Sequence, residues 1–128
     1  MEDGELKGEG QNIVLDRSFA FAVRIVKLHR HLNEHHRIFS LSDQVLRTGT
    51  SIGANIVEAQ DAQSEKDFLH KMSIALKEAR ETRYWLSLLA ETEYLDKTSK
   101  AFITLNEELE ILLKLLVSIT KTSKTKCQ

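Results

Sequence analysis

Apolar residues recur at three- and four-residue intervals along most of the chain, and no stretch alternates apolar and polar positions as a strand would. The first helical pattern starts near Asp16, a residue suited to an N-cap, and runs to about Asn33. A connector around His35–Ser40 leads into Leu41-Ser42-Asp43, where Ser42 is a good N-cap and Leu41 with Leu46 has the spacing of a hydrophobic staple. That second helix extends to about Ala62. Ser64-Glu-Lys-Asp67 resembles a capping box and opens a third, reaching about Glu91. Tyr94-Leu95 interrupts the pattern, Asp96 or Thr98 caps a fourth helix, and this one fades near Lys121. Four helices joined by short loops predict an all-α fold, an up-and-down antiparallel four-helix bundle roughly 30–40 Å long. The bundle is expected over residues 12–121, after a disordered Gly- and Glu-rich tail at 1–11 and before a flexible polar tail at 122–128.

Each helix carries more apolar surface than one core requires. In the third, Phe68, Leu69, Met72, Ala75, Leu76, Ala79, Leu86 and Leu89 form the core stripe, while Ile74, Trp85 and Leu88 fall outside it. The first has Phe21, Ile25, Leu28 and Leu32 on one side and Phe19, Ala22, Val23 and Val26 on another. The fourth has a seam of Phe102, Leu105, Leu109, Leu112 and Leu116, with Ile111 and Leu115 behind it. Two apolar faces per helix predict contacts between copies, with Ile74, Trp85 and Leu88 as the expected oligomer interface.

On the second helix the polar residues Gln44, Arg47, Ser51, Asn55 and Glu58 sit three or four apart and share one narrow stripe. Arg47, Ser51, Asn55 and Glu58 have no nucleophile–base pair among them, so they read as a structural seam, either to the third helix, with Glu78, Glu81 and Arg83 as candidate partners, or to a neighbouring subunit. Gly49-x-x-x-Gly53 permits close helix approach.

Composition narrows the function. The 128 residues include no proline, five glycines and 41% hydrophobic residues, which favours long helices. Eighteen Lys and Arg against 19 Asp and Glu argue against general coating of polyanions, while local basic stripes remain open. The clearest stripe is Arg17, Arg24, Lys27 and His31 on the polar face of the first helix, continued by Arg30, His35, His36 and Arg37. It can track phosphates, and Lys121, Lys124 and Lys126 can add to it. Aromatic stacking on bases is expected to contribute little, because most aromatics fall at core or interface positions. His31 and His35 have the i,i+4 spacing of metal ligands, but no third ligand is placed and the zincin pattern is absent. No Walker loop, dinucleotide fingerprint or paired-carboxylate arrangement stands out, so neither enzyme activity nor a cofactor is expected. The single Cys127, the acidic N-terminus and the absence of a membrane-length apolar run place the chain in the cytoplasm, away from membranes.

Several segments resemble one bacterial family: Ser18-Phe-Ala-Phe-Ala22, Gln44 through Arg47, Thr50-Ser-Ile-Gly-Ala-Asn-Ile56 with Glu58-Ala59, Ser64 to Phe68, Ile74-Ala-Leu-Lys-Glu-Ala79, and Glu81-Thr-Arg-Tyr-Trp-Leu86. This is the four helix bundle protein family, also known as the 23S rRNA intervening-sequence or S23-type family. The likeness covers roughly residues 12–118 and departs at Ala59, where many members have glycine. The resemblance implies a ring-like homopentamer with a central opening and no enzymatic activity. Some members are encoded within 23S rRNA genes, and a distant relative is a nucleic-acid-binding accessory of diversity-generating retroelements. The expected function is thus a self-assembling, non-enzymatic bundle whose partners are its own copies and RNA or another nucleic acid. The alternative is a protein-binding assembly scaffold with no nucleic-acid role.

Overall fold

Ser64 begins a helix as its sequence dictates: its hydroxyl accepts the amide of Asp67 at 3.0 Å, and the Asp67 carboxylate accepts the amide of Gln63 in return. The computed structural model describes the backbone over residues 2–128 and side chains from Ile13 onward, and it places residues 2–11, expected as a disordered tail, at the start of the first helix. Four helices follow one another, α1 over Glu2–His35, α2 over Phe39–Gln60, α3 over Glu65–Glu91 and α4 over Lys100–Cys127. Each packs on the next, and α4 closes back on α1. Among the described residues there is no strand.

The core fills the space between the four inward stripes. Phe21, Ile25 and Leu32 of α1 meet Val45, Ile52 and Ile56 of α2, with Met72, Leu86 and Leu89 of α3 and Leu109, Leu112 and Leu116 of α4 completing it. All of these are buried to within one per cent, as 3.6-residue periodicity requires of a bundle. Arg83 reaches across to Glu110 and so ties α3 to α4, rather than serving the polar stripe of α2.

Helix ends depart from the sequence expectation in four places. Asp16 lies inside α1 and caps nothing. Helix α2 starts at Phe39, three residues before Ser42, with Ile38 at the N-cap and no side-chain cap bond. Ser42 is instead fully buried, and its hydroxyl donates to Asn33 Oδ1 at 2.6 Å while His29 Nε2 donates to Asp43 Oδ1 at 2.8 Å. These bonds hold the α1–α2 corner closed, so Ser42 and Asp43 are more useful across the corner than at a helix end. Helix α4 is capped by Ser99, which accepts the amide of Phe102, and not by Asp96 or Thr98. It also runs on past Lys121 to Cys127, anchored where the buried Ser123 hydroxyl donates to Glu65 Oε2 at 2.6 Å.

Candidate nucleic-acid interface and polar seam

The polar stripe of α2 divides into two kinds of residue. Ser51 and Asn55 turn back on their own helix, donating to the carbonyls of Arg47 at 2.6 Å and Ser51 at 2.8 Å. Arg47 and Glu58 reach α3. Glu58 accepts from Lys71 at 3.1 Å, and the Arg47 guanidinium stands 3.6 Å from Glu78 and 3.5 Å from Glu81. Glu78 is the unusual member, because its side chain is only 9% exposed and its Oε2 has no hydrogen-bond partner. Deeper in the same seam the Thr82 hydroxyl lies 3.0 Å from that of Thr48 and 2.8 Å from the Glu78 carbonyl.

The basic line of α1 faces α4. Arg24 is the member most fully engaged, donating to Glu108 at 2.8 Å, to the Ala101 carbonyl at 2.8 Å and to Thr104 at 3.0 Å. Its charge is neutralised and its fork clamps α1 to α4, a geometry that suits a guanidinium. Arg17, Lys27 and His31 stay exposed, and among the described residues no carboxylate pairs with Arg17 or Lys27. The His31 ring packs at a tilt of 31° against that of His35, 4.1 Å between centroids, and His35 Nδ1 donates to the His31 carbonyl. That places both rings at the C-terminal end of α1.

Lys27 and His31 stand at the edge of a cavity of about 440 Å³ between α1 and the α3–α4 connection. Its walls are Leu28, Leu95, Phe102 and Leu105, with Tyr94 beside them. Two local structures set this wall. Helix α3 ends in a Schellman turn, in which Glu93 takes φ 68°, and the amide of Tyr94 bonds the Leu89 carbonyl at 2.9 Å. That turn brings Tyr94 back onto the bundle, where it packs against the core. Next, Asp96 accepts the hydroxyl of Thr98 at 2.6 Å and its amide at 2.9 Å, and both bonds hold the Asp96 carboxyl below its usual range. The Ser99 cap then sets Phe102 on the first turn of α4. Sequence reasoning treats Tyr94-Leu95 only as a break and Phe102 only as core, and so misses this wall. The signal present was an apolar pair held between two well-capped helices.

The apolar residues expected to join copies are not the most exposed ones. Ile74, Trp85 and Leu88 are half-buried within the single chain, and Trp85 packs on its own core. Phe19 is 71% exposed, with Val23 and Val26 on the same face of α1. Val57 of α2 is also exposed. No helix among the described residues is long and apolar enough to cross a membrane.

The pattern of the family described as "23S rRNA-intervening sequence protein" matches residues 10–118. No curated protein matches the chain. One similar solved structure is a protein of unknown function from the S23 ribosomal protein family of Bacteroides thetaiotaomicron VPI-5482. It shares 50% identity and superposes with a TM-score of 0.83, covering 88% of this chain and 98% of that one. With a match over most of its length and a bundle of the same shape, the chain belongs to the 23S rRNA-intervening sequence protein family.

Proposed function

We propose that this protein is a non-enzymatic bundle that assembles into a ring of its own copies, five in number, and binds RNA or another nucleic acid in the cytoplasm. The observation that carries the nucleic-acid reading is the exposed line of Arg17, Lys27 and the His31 imidazole, whose two cations no described carboxylate neutralises, in a chain of otherwise balanced charge. Repeated around a ring, a weak contact of this kind multiplies. A ring also needs two different surfaces on every copy, because its contacts are head-to-tail. The α1 strip of Phe19, Val23 and Val26 supplies one, and the α3 edge of Ile74, Trp85 and Leu88 supplies the other.

Two measurements test the two halves of the proposal. Phe19→Glu places a charge on a side chain that packs little in the isolated chain, so it should leave helicity intact and lower the solution mass toward 14.6 kDa. An unchanged mass by light scattering would remove the Phe19 strip from the interface. For nucleic acid, Arg17→Glu with Lys27→Glu should weaken binding to a labelled RNA by about tenfold or more at low salt. The wild type should itself lose affinity steeply between about 50 and 200 mM salt. Arg24 is left in place because its loss would open the α1–α4 clamp. Equal affinities in both proteins would remove α1 as the binding face. Absence of binding by the wild type would favour the protein-scaffold reading, which the exposed apolar strip also suits.

A further inference from the structure

We propose that the cavity between α1 and the α3–α4 connection takes one unpaired base of a single-stranded nucleic acid, with the adjoining phosphate on Lys27 and His31. The inference rests on the nucleic-acid reading above and goes beyond it, from a sequence-blind phosphate track to a site that distinguishes single strands from duplexes. Three observations carry it. The cavity, at about 440 Å³, is roomy for a nucleobase and lies within the range of small-ligand sites. Its walls are apolar, with two aromatic side chains, Tyr94 and Phe102, among them, and every base has a π-face that such rings accept. Finally, Lys27, a cationic side chain of α1 not clamped by α4, and the imidazole of His31 stand on its edge, and the His31 ring packs at a tilt against that of His35.

Of the acidic groups nearby, Glu108 is matched by Arg24, while Asp96, whose hydrogen bonds from the Thr98 hydroxyl and amide favour its ionised form, keeps its negative charge on the cavity lining. Asp96 Oδ2 carries no bond among the described residues and can accept from a base edge. A paired base cannot enter, since its faces are covered by its neighbours in the stack. Recognition of splayed single-stranded bases by aromatic side chains is the usual solution for RNA.

The test is a fluorescence-anisotropy titration of the full-length protein in its assembled form. The probes are a labelled single-stranded 12-mer RNA, the same sequence as a duplex, and an abasic 12-mer with the same backbone, with adenosine 5′-monophosphate as an unlabelled competitor. The single strand should bind about tenfold or more tightly than either the duplex or the abasic strand. Tyr94→Leu and Phe102→Leu, which keep an apolar wall without a ring, should each remove most of that advantage. The comparison of probes on wild-type protein needs no variant to fold. Duplex or abasic binding equal to the single strand would overturn the base site and leave the nucleic-acid reading standing. Adenosine monophosphate competing as tightly as the 12-mer would overturn the strand assignment in favour of a free mononucleotide. No binding of any probe at low salt would overturn both readings together.

Discussion

Replacing Gly49 with alanine is expected to destabilise the bundle by about 1–3 kcal/mol, while the same change at Gly53 should be neutral or stabilising. The two glycines are one turn apart on α2, and both face α1, yet they differ in what a methyl group would meet. At Gly49 the new carbon would stand 2.8 Å from both Cγ1 and Cγ2 of Ile25, and Ile25 is fully buried in the core. Those atoms branch directly from Cβ, and a β-branched side chain in a helix has little rotamer freedom to give way. Either α1 shifts outward or the core repacks. At Gly53 the nearest atom is the Ser18 hydroxyl oxygen at 3.4 Å, an ordinary contact. There the gain of roughly 1 kcal/mol in helix propensity decides the sign. Urea denaturation of the two variants under identical conditions measures the contrast. Equal midpoints would mean that α1 moves freely enough to relieve the clash.

Arg47→Ala should cost about 1–4 kcal/mol, mostly through the carboxylate it leaves behind. The guanidinium is itself more than half exposed and makes no hydrogen bond to α3, so its direct attraction to Glu78 and Glu81 is heavily screened. Glu78 is the costly partner. Its side chain is nine-tenths buried, its Oε2 lacks a hydrogen bond, and Arg47 at 3.6 Å is the cation closest to it in the seam. Removing that cation strands a buried charge. Adding Glu78→Gln to the Arg47→Ala variant should therefore recover most of the lost stability, since the amide carries no charge to desolvate. If Arg47→Ala melts like the wild type, the seam is solvated well enough to dispense with the arginine. A double variant no better than the single one would move the cost from Glu78 to the packing of the arginine stem.

The sequence alone determined the bundle and much of its punctuation. Apolar periodicity is a local property of each helix, so the four stripes, the Ser64 start of α3 and its end at Glu91 are legible without any knowledge of neighbours. The seam of α2 was legible in part for the same reason, since four-residue spacing places Arg47 and Glu58 on one face wherever the helix is put. Only the tertiary structure decided which groups those faces meet. Ser42 is a sound cap by local chemistry, yet Asn33 and the corner between α1 and α2 recruit it into the interior. Arg24 belongs to the basic line by spacing, but Glu108, Ala101 and Thr104 on α4, more than 75 residues away along the chain, neutralise and pin it. Tyr94 and Phe102 come to stand beside Lys27 and His31 because a Schellman turn and a serine cap fold the α3–α4 connection against α1. Periodicity assigns a residue to a face of its own helix, whereas charge pairing and cavity walls are made between elements remote in sequence, where no local spacing records them.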